Sequence, residues 1–380
     1  MKISRVTVRR AEMAQSWLTD TVIATPLSGF PAYKAHRSSW FGRMTAAVVV
    51  IETDEGISGL GYIGGGKEAG ASIVEDQFAA LLTGKNPFDT AMIWDLLFRA
   101  AQMHGRRGAA MAALSGVDIA LWDIVGKASG QPVYRLLGGA TKPDGIPAYP
   151  TGNAVERYAA EGFMAAKLAV PYGPADGVEG MRQNEALVRH ARETFGPDAA
   201  IRLDCYMAWD VPYAIRMCRQ LAEYSIDWIE EPVLPDDLDG YRRIRAALTP
   251  LGIRVTGGEH AYTRYEFREL IEHEAVDVLQ PDMYRAGGIS ELRHIASLGS
   301  AHHLPLIPHG IGAPTYHFVM ATPSCPVAEY VDVFANGGQL LLEGEPVPEN
   351  GLIQLSDAPG FGYRLNENLL STGNGPVPIW

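Results

Sequence analysis

Between residues 145 and 341 eight short apolar runs recur, separated by amphipathic stretches, and this repeat restricts the fold more than any other property of the chain. The runs are Ile146–Tyr149, Phe163–Ala169, Ala200–Asp204, Asp227–Glu230, Arg254–Gly258, Val276–Gln280, Leu304–Pro308 and Val327–Tyr330. Most intervals are roughly 20–30 residues, the length of a strand and its return helix. Eight such units predict a (β/α) barrel, whose strand C-termini all open on one face. A doubly wound open sheet alternates in the same way. It requires a glycine fingerprint after its first strand, and Tyr149-Pro150-Thr151-Gly152 is not one.

The residues ahead of the barrel follow another pattern. Residues 2–9 alternate like a strand, and Ala46–Glu52 and Gly59–Ile63 read as two more, joined by the turn Asp54-Glu55-Gly56. A helical stretch runs from about Ala69 to Ala128, with breaks near Gly84–Pro87 and His104–Gly108. Strands first and helices second make an α+β unit. The length of 380 residues also exceeds what one hydrophobic core usually holds. The expected division is an α+β domain over 1–130, a barrel over 145–341, and a Pro- and Gly-rich segment over 342–380 that returns to the first domain.

A net charge of −12 argues against nucleic acid and anionic membranes as partners. An anionic substrate would have to be drawn in locally, by a metal or by particular Arg and Lys side chains. The cysteines Cys205, Cys218 and Cys325 form no CxxC pair and an odd set, which fits a reducing cytoplasm. Met1–Arg10 alternates apolar and basic residues and has no run suited to a signal peptide or membrane span.

Acidic residues and one histidine recur where the barrel runs end: Asp204, Glu230, Glu259, Asp282, His309 and Glu329. Any one of them alone would read as a helix N-cap or a surface charge. Three carboxylates on successive strands, Asp204, Glu230 and Glu259, can give three oxygens to one hard cation, as Mg²⁺ requires. Zn²⁺ would favour His or Cys ligands. Without a cation the three would repel one another and raise their own pKa values. Asp282 and His309 follow on adjacent strands, where a carboxylate fixes the imidazole tautomer and strengthens the base.

Leu203-Asp204, Trp228-Ile229-Glu230-Glu231-Pro232, Gly258-Glu259, Gln280-Pro281-Asp282 and His309, with Gly116-Val117-Asp118-Ile119-Ala120-Leu121-Trp122-Asp123, resemble the mandelate racemase subgroup of the enolase superfamily over nearly the whole chain. The resemblance implies a (β/α)7β barrel with an N-terminal α+β capping domain completed by the C-terminal tail. It implies Mg²⁺ on Asp204, Glu230 and Glu259, a His309–Asp282 dyad, and Glu329 as the acidic residue of the last strand. A Lys or His base working with Mg²⁺ is a known pattern of that superfamily. Many relatives carry Lys-x-Lys on the second strand. Here the stretch is Ala166-Lys167-Leu168-Ala169, so Lys167 matches the first Lys, beside the substrate carboxylate, and Ala169 replaces the second. A racemase needs acid–base groups on both faces of the enediolate, whereas a β-elimination works with His309 alone.

Pro171-Tyr172-Gly173-Pro174-Ala175-Asp176-Gly177, Ala24-Thr25-Pro26-Leu27-Ser28 with Arg37-Ser38-Ser39-Trp40, Gly258-Glu259-His260, and Pro359-Gly360-Phe361-Gly362 are similar to the L-rhamnonate dehydratase group. This implies dehydration of an aldonate to a 2-keto-3-deoxy acid, with Arg37 and His260 contacting substrate and a homo-oligomer, octamers included. The alternatives are a racemase or epimerase of a 2-hydroxy acid, a dehydratase of L-lyxonate or L-mannonate, and a non-catalytic sugar-acid-binding protein. Gly61-Tyr62-Ile63-Gly64-Gly65-Gly66-Lys67 looks like a P-loop, but Glu68 stands where Ser or Thr is required, so a lid loop or turn is expected.

Overall fold

Alternating apolar and charged residues build the first sheet: β1 (Ile3–Met13) pairs antiparallel with β2 (Met44–Thr53), and β2 with β3 (Ser58–Tyr62). The computed structural model describes residues 1–13, 23–33, 44–65, 67–331, 342–366 and 378–379. Ile3, Val49 and Ile51 on the buried face of this sheet share a core with Leu114, Val117 and Leu121 of the helix Ala109–Ala128. That helix is long and apolar enough to cross a membrane, but 89% of its apolar window is buried. It packs on β3 on one side and on the barrel helix Gly288–Ala301 on the other.

Such close packing requires glycine. A Cβ on Gly59 would lie 2.0 Å from the Ala120 carbonyl oxygen, and one on Gly61 would lie 2.0 Å from that of Gly116. We expect Gly61→Ala to lower stability by about 1–3 kcal/mol, the usual cost of overpacking, seen as a lower denaturant midpoint. An unchanged midpoint would show that the sheet and helix can part without loss.

The same helix joins the two domains. Asp118 accepts the Ser290 backbone N–H at 2.9 Å, and Trp122 donates its indole N–H to the Ser290 hydroxyl at 3.0 Å. Asp123 accepts the backbone N–H groups of Leu60 and Phe361. The Gly116–Asp123 stretch is therefore one connection between the domains, made by buried polar groups whose partners lie far away in sequence.

The barrel strands are β4 (Ile146–Thr151), β5 (Ala165–Ala169), β6 (Ala200–Asp204), β7 (Trp228–Glu230), β8 (Arg254–Gly257), β9 (Val278–Leu279) and β10 (Ala328–Val331). They lie parallel in the order β10-β4-β5-β6-β7-β8-β9. The seventh predicted run, Leu304–Pro308, is attached only by single bridges, Leu279 to Leu306 and, beyond it, Asp282 to His309. Pro305 and Pro308 lack the N–H that a regular ladder needs. With this run the barrel has eight strand positions and the (β/α)7β arrangement.

Side chains alternate along the strands. Ile201, Leu203, Ile229, Val255 and Leu279 join the core shared with the surrounding helices. Tyr149, Trp228, Val278 and Ile307 form a separate interior cluster. The Arg202 guanidinium sits over two of these rings, 4.3 Å from Tyr149 and 4.0 Å from Trp228. This layer fills the lower barrel, so the polar residues two positions further along each strand face one another at the upper end.

The described part of the C-terminal segment touches the capping domain. Val133 donates its N–H to Gly360, and the Tyr363 hydroxyl donates to the Leu60 carbonyl. It also pairs Leu352–Ile353 antiparallel with the start of β4, which covers the lower edge of the barrel. The sequence reading did not include this second contact.

Candidate active site

Lys167 lies on β5 in register with Arg202 of β6, two residues before those strands end, and its side chain is fully buried. Its ammonium lies 2.5 Å from Glu230, 2.8 Å from Glu329 and 3.6 Å from Asp204. Burial opposes the charge, but Glu230, Glu329 and Asp204 together hold the lysine pKa well above its usual value. Glu329 also accepts from the Thr151 hydroxyl at 2.5 Å and from the Gly310 N–H at 2.8 Å. Although burial opposes ionisation, Lys167 and His309 keep Glu329 below the ordinary carboxylate range. Glu230 takes the Gln280 amide at 2.7 Å, and Gln280 in turn accepts from Thr256.

Asp204 and Glu230 face each other across the register of β6 and β7. Burial pushes Asp204 up to about 6, with Lys167 opposing and Glu259 adding to the rise. Burial likewise pushes Glu230 up to about 8, again against Lys167. Glu259 behaves differently. Burial raises it, but His309, His260 and Arg285 outweigh burial and hold it ionised. Asp204, Glu230 and Glu259 thus offer only oxygen atoms from a buried space, where burial pushes two of the three upward. That is the donor chemistry of a Mg²⁺ site.

The tightest group of possible ligand atoms among the described residues is a different one: Glu231, Glu259 and His260, within 4.8 Å of one another. Its compactness has a separate cause. Glu231 adopts a left-handed backbone (φ 39°), which turns it away from Glu230. Its carboxylate accepts the backbone N–H groups of Gly258 and His260 and pairs with His260 Nδ1 at 2.6 Å. Glu231 therefore positions the Glu259–His260 turn, and both its oxygens are occupied.

His309 and Asp282 lie together, with Nδ1 2.9 Å from the carboxylate. The other nitrogen, Nε2, faces Glu259 at 3.4 Å. Burial disfavours the imidazolium, but Glu259, Glu329 and Asp282 raise its pKa to about 10. On the opposite wall Ala169 offers only a methyl group, and the Asn153 amide is occupied with the Ala169 backbone at 2.9 and 3.0 Å. His260 lies edge-on to Tyr206, with ring centroids 5.5 Å apart. Arg37 lies outside the described residues.

The sequence reading missed Arg285. Its guanidinium contacts Glu259 at 2.8 Å and Asp282 at 3.2 Å, tying a candidate metal ligand to the dyad. The available signal was its place three residues after Asp282, just beyond a barrel strand. Gln280 and Thr256 were missed because neutral side chains inside a strand leave no trace in a charge pattern.

The chain matches the family model described as enolase C-terminal domain-like over residues 151–369. It matches the mandelate racemase/muconate lactonizing enzyme N-terminal domain over residues 29–138. It is 39% identical over 357 residues to an L-rhamnonate dehydratase of Saccharopolyspora erythraea, covering 92% of this chain and 90% of that one. Its fold is similar to the crystal structure of L-rhamnonate dehydratase from Gibberella zeae, at 36% identity and a TM-score of 0.89 over 97% of this chain and 94% of that one. It is also similar to the structure of rhamnonate dehydratase from that organism complexed with Mg, at 34% identity and a TM-score of 0.87 over 97% and 95% of the two chains.

Proposed function

The chain belongs to the mandelate racemase and muconate lactonizing enzyme family of enolase-like proteins, and on that premise we propose that it is a Mg²⁺-dependent hydro-lyase that dehydrates an aldonate, L-rhamnonate or a close analogue, to a 2-keto-3-deoxy acid. One observation carries the reading: the imidazole–carboxylate dyad stands on one wall, and Ala169 stands where a base on the other wall would be needed. The names of the relatives support the substrate class. L-Lyxonate and L-mannonate belong to the same class, and a racemase or epimerase lacks its second base.

In the proposed reaction His309 Nε2 removes the proton on C2, while Asp282 holds Nδ1 and stabilises the imidazolium. The same proton then goes to the C3 hydroxyl as the C–O bond breaks, and water leaves. The resulting enol becomes the ketone. Mg²⁺, held by Asp204, Glu230 and Glu259, would neutralise the substrate carboxylate as charge builds there. Lys167 and Glu329, paired at 2.8 Å, would lie beneath that carboxylate and fix the electrostatics of the floor. Glu259 is the foremost of the charges that keep His309 protonated. A divalent ion sharing Glu259 would lower the imidazole pKa towards that of a useful base.

The test is a panel of aldonates assayed for 2-keto-3-deoxy product with Mg²⁺ or with EDTA, in H₂O and in D₂O. Dehydration of an aldonate that EDTA abolishes is the expected outcome. Exchange of the C2 proton with no loss of water from any substrate would reject the dehydratase in favour of an isomerase.

Mg²⁺ affinity should rise with pH between about 6 and 8, because the ion must displace protons from Asp204 (about 6) and Glu230 (about 8). Titration calorimetry at pH 5.5, 7 and 8.5 measures this. A flat profile would remove these two carboxylates from the ligand set. We also propose a cytoplasmic enzyme, since all three thiols are free and buried, and a homo-oligomer, which sedimentation would test.

A further inference from the structure

His309 stands at the head of a loop that its own sequence leaves loose. His309-Gly310-Ile311-Gly312 places a glycine on each side of Ile311, and both take a positive φ, 91° and 105°. The run before it is attached only by single bridges. The loop therefore owes its position to contacts from other parts of the chain. Gly310 donates its N–H to Glu329 at 2.8 Å, and Ala313 donates to Glu345 of the C-terminal segment at 2.7 Å. Between these two, the Ile311 carbonyl accepts the Tyr284 hydroxyl at 2.6 Å.

Tyr284 also holds the other half of the dyad. Its backbone N–H donates to one Asp282 oxygen at 2.7 Å, while the second oxygen meets His309 Nδ1 at 2.9 Å. The side chain crosses from the Asp282 loop to the His309 loop, where the approach is close. A Cβ on Gly312 would stand 2.6 Å from the Tyr284 hydroxyl, so only glycine admits it there. Tyr284 meets the capping domain as well. Its carbonyl accepts the Gly64 N–H at 3.2 Å, and Tyr62 stands edge-on to its ring with centroids 6.0 Å apart. The glycine-rich turn that resembles a P-loop thus rests on the residue that joins the two dyad loops.

We propose that Tyr284 is a positioning residue: its hydroxyl pins the His309 loop against the Asp282 loop, and so fixes where the imidazole points. Tyr284 acts through His309 and needs no contact with substrate. The hydroxyl is what the tyrosine contributes, since any residue would supply the N–H to Asp282. An imidazole that takes the C2 proton and returns it to the C3 hydroxyl must stay aimed through both transfers. A misplacement of about 1 Å in such a group can cost about 10²-fold in rate. The proposal rests on the dehydratase reading for its effect on rate, and on the hydrogen bonds alone for the held loop.

Tyr284→Phe removes one oxygen and keeps the ring beside Tyr62, so the chain should still fold. The Mg²⁺-loaded full chain, Tyr284→Phe, Asp282→Asn and the double variant are assayed on the best aldonate of the panel. We expect Tyr284→Phe to lower kcat by about 10- to 100-fold, with KM and Mg²⁺ affinity within about twofold of the parent. In the Asp282→Asn background the same change should cost less than about twofold, because both act through one imidazole. Without substrate, deuterium exchange at the Gly310–Ala313 amides should quicken by about tenfold in Tyr284→Phe, while exchange along β6 stays unchanged. A kcat within about twofold of the parent, equal losses in both backgrounds, or unchanged loop exchange overturns the proposal and leaves the dehydratase reading standing. If the parent turns over no aldonate, the dehydratase reading falls and loop exchange alone decides. Quickened exchange then upholds the role of Tyr284, and unchanged exchange overturns it.

Discussion

His309→Asn is expected to remove turnover, with kcat falling by at least about 10²–10⁴-fold, the range attributed to one positioned acid–base group. The loss should be larger if the imidazole serves both as base for C2 and as acid for the departing hydroxyl. Asn keeps the size of the side chain and can still meet Asp282, which contacts Nδ1 at 2.9 Å. The fold and the carboxylate cluster should therefore persist, and Mg²⁺ affinity should change little. Exchange of the C2 proton in D₂O should stop together with dehydration. Continued exchange in the variant would mean that another group is the base. The Ala169 wall would then need a new account, since the described residues place no base there.

Lys167→Met should have the largest effect on stability. The variant leaves Glu230, Glu329 and Asp204 buried without the ammonium that now lies 2.5, 2.8 and 3.6 Å from them. Breaking a buried ion pair costs about 3–5 kcal/mol. The pH dependence has a defined sign. The raised pKa of Lys167 gives stability that is full below about 10.4, the free-lysine value, and lost as pH climbs through the folded value. The lowered pKa of Glu329 gives stability present above about 4.3 and lost as pH falls through its folded value. The parent's margin over the variant should be largest above about pH 8, and it should narrow as pH falls through about 8 and 6, where Glu230 and Asp204 take up protons. Urea midpoints of the metal-free proteins at pH 5, 7 and 9 test this, and Mg²⁺ should restore part of the loss at pH 7. Equal midpoints at pH 7 and 9 would mean that the ammonium does not hold the cluster together.

Much of this arrangement was legible in the amino-acid order because it depends on local chemistry. Strand periodicity and the spacing of the runs specify repeated β/α units, and the missing glycine fingerprint favours a barrel over an open sheet. A barrel puts every strand end on one face, so a list of acidic strand ends is already a list of neighbours. That is why Asp204, Glu230, Glu259, Asp282, His309 and Glu329 could be named together. The change from lysine to Ala169 could also be read directly, since it is the absence of a functional group.

What tertiary structure decided were the partners of those groups. Nothing local says that Lys167 points inward to three carboxylates, because a lysine at a strand end is equally able to reach solvent. Glu230 and Glu231 are adjacent in sequence, yet a left-handed backbone sends one into the barrel and the other to His260. Arg285 and Gln280 acquire meaning only when segments from separate strands come within a few ångströms of one another. Periodicity records which face of a strand a side chain occupies. Charge balance among buried groups is a property of three-dimensional distance, and only the folded chain sets it.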